Sequence, residues 1–305
     1  MVLLLTSSGC CVQLERWQFQ TNRGFILRGF HSIPSGKPLL HMLHGNGFSS
    51  LMYQPLLSML SEHFDLFLSD AQGHGDSDHG GIFVGWNQSA ELALAALQAH
   101  LPLFGDVQVY ALGHSFGAVL TAIINSQANS PFCRVILLDP VLFTPWMLSA
   151  MQGLDWIGLY RFNPLAKKAL KRRQHWPDSN QAAQYLQQRA LFANWHPDAL
   201  AAYIRHSMAH EPAGIRLKCR PEREAEIFAS YPKRLWQSLR QPCSDTLVLY
   251  GDQSYPFVAK AVTRWQQLNH AVQIRQVSGD HCFMQQHPSQ TAALILQHWL
   301  PEKTG

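Results

Sequence analysis

What this chain of 305 residues has least of is charge: Asp, Glu, Lys and Arg together make up 14% of it. The formal net charge is +4 and scattered, which argues against a nucleic-acid partner. Hydrophobic residues reach 47%, so a large core can form and global disorder is excluded. No apolar run approaches the length of a membrane-spanning helix, so no membrane span is expected. Met1-Val2-Leu3-Leu4-Leu5 is apolar but lacks a basic flank and is shorter than a signal peptide needs. Ser7-Ser8-Gly9-Cys10 lacks the leucine of a lipoprotein cleavage site. Cysteine is sparse: Cys10, Cys11, Cys133, Cys219, Cys243 and Cys282 form no CxxC pair and no dense framework. Reduced thiols and a cytoplasmic location are expected. The 16 histidines include no H-E-x-x-H spacing, so no metal is expected. Internal repeats and low-complexity segments are missing as well. One basic cluster, Lys167-Lys168 through Lys171-Arg172-Arg173, reads as a solvated helix face.

What is present is an alternation of short apolar strands and amphipathic helices. Leu14–Gln20 and Phe25–Ile33 read as a hairpin around Asn22-Arg23-Gly24. Leu39–Leu43, Asp65–Ser69 and Arg134–Leu138 read as buried strands. Leu51–Leu60 and Asn87–Leu101 have helical spacing. The alternation resumes with a strand at Thr246–Tyr250, a helix at Phe257–Leu268, a strand at Val272–Val277 and a helix at Ser289–Leu300. This predicts an α/β fold, a mostly parallel sheet with helices on both faces. Between them the pattern turns aromatic and largely helical, over Trp146–Arg161, Pro164–Arg173, Asn180–Phe192, Pro197–His210 and near Pro232–Leu239. The expected division is a core of residues 1–141 and 243–305 with a helical cap insertion at 142–242.

The stretch Val107–Ala118, VQVYALGHSFGA, organises the rest. An apolar strand stops at Gly113-His114-Ser115-Phe116-Gly117, and a helix follows. That is the setting in which G-x-S-x-G forms a nucleophile elbow. A serine on so sharp a turn needs neighbours without side chains, and Gly113 and Gly117 supply them. A serine hydroxyl is a weak nucleophile and needs a base. His281, after the last strand in Ser278-Gly279-Asp280-His281-Cys282-Phe283, is the candidate. His114 and His44 read as structural, and Cys282 as packed. An oxyanion needs two N–H donors. Phe116, after the nucleophile, supplies one, and the loop His44-Gly45-Asn46-Gly47 the other, from Asn46. Phe48 and Gly45 are expected to line the substrate pocket.

Four stretches carry a resemblance: His44-Gly45-Asn46-Gly47; Asp70 with Gly73-His74-Gly75-Asp76-Ser77; Gly113-His114-Ser115-Phe116-Gly117; and Gly279-Asp280-His281. Together they resemble the α/β-hydrolase superfamily, in its order, from about Gln13 to Leu300. The resemblance implies that fold, a helical cap over the site, and a third triad member that orients His281. In many members the acid stands three residues beyond the glycine that follows the strand Thr246–Tyr250; here that place holds Ser254. Other members, the haloalkane dehalogenase branch included, carry it directly after the preceding strand, where this chain has Asp139. Asp139 is the expected acid and Asp252 the alternative. Dehalogenases and epoxide hydrolases of this fold use a carboxylate nucleophile, so Ser115 argues against both. Asp70 and Asp76 are structural in the family's pattern.

The expected activity is hydrolysis of small to medium apolar carboxylic esters, without cofactor, through an acyl-enzyme on Ser115. The expected partner is therefore a small-molecule ester. A C–C bond hydrolase or lactonase with the same triad is the alternative, and a non-catalytic ligand-binding protein of this fold a third. The aromatics Trp146, Trp156, Phe162, Trp176, Phe192 and Trp195 suggest an apolar roof.

Overall fold

The computed structural model describes residues 2–5, 11–158, 163–240 and 244–300. Met1, Ser7, Ser8, Gly9, Cys10, Arg161, Phe162 and Cys243, which entered the sequence reading, lie outside them. The chain opens with antiparallel strands β1 (Val2–Leu5), β2 (Cys11–Gln20) and β3 (Ile26–Ser32). β4 (Leu39–Leu43) leads through a 3-10 turn, Ser50–Tyr53, into α1 (Gln54–Leu60). Then come β5 (Asp65–Asp70), α2 (Trp86–His100), β6 (Val109–His114), α3 (Phe116–Asn125) and β7 (Phe132–Leu138).

The segment between β7 and the next strand of the main sheet carries α4 (Pro145–Trp156), α5 (Pro164–Leu170), β8 (His175–Trp176) and α6 (Ser179–Gln187). It continues with α7 (Pro197–Ser207), β9 (Met208–Glu211), β10 (Gly214–Leu217), α8 (Pro221–Phe228) and α9 (Leu235–Ser238). The chain closes with β11 (Asp245–Gly251), α10 (Pro256–Leu268), β12 (Val272–Val277), α11 (Phe283–Gln286) and α12 (Pro288–Trp299).

Nine strands form one sheet in the order β1-β2-β3-β5-β4-β6-β7-β11-β12. From β5 across to β12 every neighbouring pair is parallel. The central strands are buried end to end: LLHML in β4, VYALGH in β6. A strand flanked on both edges and covered on both faces has no polar side to show. α3, FGAVLTAIIN, is buried at every position, as a helix apolar all round must be. α2 instead buries Trp86, Ala90, Ala93, Leu94 and Leu97 and leaves Glu91 in solvent.

After β4 the chain steps to β5 on one side, then crosses to β6 on the other. Such a reversal opens a crevice at the carboxyl ends of the two strands. Here the loop after β4 and the turn after β6 leave the sheet at that point, side by side. No helix among the described residues is long and apolar enough to cross a membrane.

Two expectations need correction. The inserted segment is not only helical: β8, β10 and β9 form a separate antiparallel sheet. The helix expected over Asn180–Phe192 ends at Gln187, and the one expected over Pro197–His210 gives way to β9 at Met208. Second, Trp146 and Trp156 are no part of a roof, being 78% and 89% exposed.

Candidate active site

Ser115 stands between β6 and α3 with φ +53 and ψ −113. That conformation is costly for a residue with a side chain and persists only where the surroundings enforce it. The flanking glycines show the enforcement. A Cβ on Gly113 would lie 2.6 Å from Ala118 Cα and from Thr121 Oγ1. One on Gly117 would lie 2.5 Å from the His44 carbonyl oxygen and closer still to that of Leu43. The Ser115 amide is spent on Leu138 O at 3.0 Å, which ties the turn to β7.

His281 follows β12 on a loop and brings Nε2 to 2.8 Å from Ser115 Oγ. Its other ring nitrogen, Nδ1, lies 2.5 Å from Asp139 Oδ2. Asp139 caps β7 and is wholly buried. Its φ of +45 is a left-handed conformation, which Asp tolerates better than most residues. Its carboxylate is held from two more sides. The Gly251 N–H donates to Oδ1 at 2.9 Å, and the Ser254 hydroxyl donates to Oδ2. Asp252 takes no part in this string. It accepts the Gly279 N–H at 2.9 Å and so braces the loop that leads to His281.

Phe116 opens α3, so its N–H is among those a helix start leaves without an intrahelical acceptor. Its ring is buried edge-on against Trp86, with centroids 4.7 Å apart. In the loop after β4, the Gly45 N–H is given to Tyr53 Oη at 3.1 Å, the Gly47 N–H to His74 Nε2 at 3.0 Å and the Phe48 N–H to Gly45 O at 3.2 Å. Asn46 sits among these committed neighbours, and its side-chain amide donates to Glu224 O of α8 at 3.1 Å. Phe48 is buried and stacks on the His114 ring, which lies 5.1 Å from the ring of His281. Trp195 meets Phe48 edge-on at 5.7 Å, and Phe192 packs behind Trp195. Gly45 is buried against His114, where a Cβ would meet Nδ1 at 2.9 Å.

Burial drives the titration of the groups around the site. It holds His114, His44 and His74 below the usual histidine range, so all three are neutral. It pushes the Cys282 thiol well up, and the side chain is fully enclosed. That thiol is inert. Asp70 accepts the Ser50 and Asp76 amides at 2.7 and 3.1 Å. Asp76 pairs with Lys218 at 2.7 Å. Both carboxylates hold loops. Among the described residues no group of three His, Cys, Asp or Glu side chains is placed to bind a metal ion.

The basic cluster is corrected in part. Lys168, Lys171 and Arg173 are exposed, but Arg172 is turned inward. Its guanidinium pairs with Glu224 at 2.7 Å, donates to Tyr203 Oη at 2.6 Å and packs on Gly47. Sequence reasoning also missed Tyr53, Ser254 and Tyr255, whose ring lies 4.9 Å from that of His281. Ser254 alone had a signal, its position where the family commonly carries an acid.

The sequence matches the profile of the Alpha/beta hydrolase family over residues 42–294. A comparison with curated proteins gives no match. Among solved structures the chain is similar to E-2-(acetamidomethylene)succinate hydrolase, at 21% identity and a TM-score of 0.75, over 93% of this chain and 98% of that one. It is similar to the peroxisomal α/β-hydrolase Lpx1 of Saccharomyces cerevisiae, at 17% identity and a TM-score of 0.73, over 94% and 87%. It is also similar to a thermophilic esterase from Thermogutta terrifontis, at 19% identity and a TM-score of 0.65, over 94% and 98%. At these identities the likeness is one of fold.

Proposed function

The chain belongs to the α/β-hydrolase family, and from that premise we propose that it is a serine hydrolase of small to medium apolar carboxylic esters. The observation that carries the reading is one string of contacts: Ser115 Oγ to His281 Nε2 at 2.8 Å, and His281 Nδ1 to Asp139 Oδ2 at 2.5 Å. A carboxylate buried at Nδ1 keeps the proton on that nitrogen and leaves Nε2 as the base. Ser115 Oγ attacks the acyl carbon as Nε2 takes its proton. The Phe116 and Asn46 N–H groups receive the charge on the carbonyl oxygen. The tetrahedral intermediate expels the alcohol, which takes the proton from His281. Water, activated by the same nitrogen, then releases the acid and restores Ser115.

Phe48, stacked on His114 next to Ser115, and Trp195 and Phe192, packed behind it, favour an apolar ester. In this reading residues 142–242 cap a core formed by 1–141 and 243–305. A cytoplasmic location fits the free thiols of Cys133, Cys219 and Cys282. The C–C bond hydrolase or lactonase alternative calls for a cation free to hold a substrate carboxylate. Arg172, the cation packed on the loop after β4, is already neutralised by Glu224, which keeps the ester reading ahead.

Incubation with p-nitrophenyl acetate, butyrate and octanoate tests the proposal, alongside labelling with a fluorophosphonate. Turnover and labelling that both disappear in Ser115→Ala are expected. Absence of both in the wild-type protein would overturn it.

A further inference from the structure

His114 precedes the nucleophile, and the mechanism above gives it no part. Yet it is wired on both sides. Its Nε2 lies 3.0 Å from the carbonyl oxygen of His281, and its Nδ1 lies 2.7 Å from Tyr53 Oη. Tyr53 Oη in turn receives the Gly45 N–H at 3.1 Å. Both side chains are completely buried, so water cannot substitute for any of these partners.

The direction of every hydrogen bond follows from the two ends. A peptide N–H can only donate and a peptide carbonyl can only accept. The His281 carbonyl therefore requires the proton on His114 Nε2. The imidazole is neutral in its enclosed place, so Nδ1 is a lone pair and takes the Tyr53 hydroxyl proton. That leaves the Tyr53 oxygen to accept from Gly45. One arrangement satisfies all of them: Gly45 N–H to Tyr53 O–H to His114 Nδ1, and His114 Nε2–H to His281 O.

The two ends matter. Gly45 adjoins Asn46, the proposed oxyanion donor, and His281 is the proposed base. β4 and β6 are parallel neighbours, Leu43 opposite Gly113, so the two loops leave the sheet side by side. The chain of hydrogen bonds spans from one to the other. We propose that Tyr53 and His114 are positioning residues that fix the oxyanion loop and the base loop at one spacing. The proposal rests on the serine-hydrolase reading. A catalytic group misplaced by about an ångström can cost on the order of a hundredfold in rate.

The test compares Tyr53→Phe, His114→Asn and His114→Gln with the wild-type protein on p-nitrophenyl butyrate. Tyr53→Phe removes one oxygen and keeps the ring, so the fold has no reason to fail. A fall of about 10- to 100-fold in kcat, with KM within about threefold, is expected. An asparagine amide reaches the place of Nδ1 and a glutamine amide that of Nε2. Each keeps one bond of the relay and breaks the other, so His114→Asn and His114→Gln should both fall as far as Tyr53→Phe.

A second readout does not depend on the substrate. The downfield proton resonance of His281 Nδ1–H should move or broaden in Tyr53→Phe, His114→Asn and His114→Gln alike. If the wild-type protein hydrolyses no ester, the hydrolase reading fails and this resonance alone decides the relay. Wild-type kcat and an unmoved resonance in Tyr53→Phe, with only a lower melting temperature, would make the pair mere packing and overturn the proposal.

Discussion

Under the proposed mechanism, replacing Asp139 by Asn changes no volume and little shape, yet should nearly abolish turnover. The wild-type carboxylate meets three donors: the Gly251 N–H at Oδ1, and the Ser254 hydroxyl and His281 Nδ1–H at Oδ2. An amide has one acceptor oxygen and one NH2 group. If its oxygen keeps Gly251, its NH2 faces His281, and the imidazole must turn Nδ1 into the acceptor. The proton then sits on Nε2 and points at Ser115 Oγ, which loses its base. If the oxygen faces His281 instead, the NH2 meets the buried Gly251 N–H, donor against donor. Either way the productive tautomer is lost or strained.

In a serine triad the wrong tautomer costs about 10⁴ in kcat, or about 5 kcal/mol of transition-state stabilisation. Asp252→Asn should behave differently. Its side chain accepts the Gly279 N–H, which an amide oxygen also does, so a loss of less than about tenfold is expected. The assay is kcat/KM on p-nitrophenyl butyrate, with the fluorophosphonate labelling rate as a check independent of deacylation. Asp139→Asn within tenfold of wild type, or Asp252→Asn the more damaging of the two, would refute the reasoning.

Gly117→Ala should cost about 3 kcal/mol of stability and lower the urea midpoint, because the new methyl meets the carbonyl oxygens of Leu43 and His44, which are backbone and cannot move aside; an unchanged midpoint would show the turn to be soft. Burial alone depresses His41 to about 3, against about 6.5 in the unfolded chain. Between those values only the unfolded chain binds the proton, so stability rises with pH through this window by up to about 1.4 kcal/mol per unit and is level above it. Urea unfolding from about pH 4.5 to 7.5 should show that slope, reduced by one proton's worth in His41→Leu. Arg172→Met strands the largely buried Glu224 beside Gly47 and should cost about 3 kcal/mol, most of it regained in the double variant with Glu224→Leu; thermal melts that show additive losses would deny the pairing.

The sequence was legible where a local rule applies. G-x-S-x-G encodes a steric demand within five residues, and the structure meets it at Gly113 and Gly117 without change. The strands of the parallel sheet were legible because burial on both faces leaves an unbroken apolar run. What was not legible depends on distant partners. Arg172 looks like its exposed neighbours until Glu224, 52 residues on, turns it inward. Tyr53 carries the apolar spacing of a core aromatic, and only the fold brings His114 to its hydroxyl. The small sheet escaped because β8 has two residues and β9 continues the spacing of α7, although Glu211-Pro212-Ala213-Gly214 marks the turn into β10.

The ambiguity over the acid has a geometric origin. β7 and β11 are parallel neighbours, with Leu138 opposite Leu249, and the Asp139 amide bonds Leu249 O at 2.7 Å. The residues leaving the two strand ends are thus side by side and within reach of one imidazole. A carboxylate at either end would serve His281, and a second one would repel the first. This chain puts Asp139 directly after β7 and, where the resemblance to α/β-hydrolases places the commoner acid, Ser254, whose hydroxyl donates to that same carboxylate. In the proposed mechanism a serine there turns a rival for the imidazole into a support for the acid. Ser254→Ala should therefore cost far less than Asp139→Asn, and Ser254→Asp should harm the Asp139 protein while improving the Asp139→Asn one. Kinetics of the four proteins on p-nitrophenyl butyrate would show it, and equal effects of Ser254→Asp in both backgrounds would mean that the two strand ends do not share one imidazole.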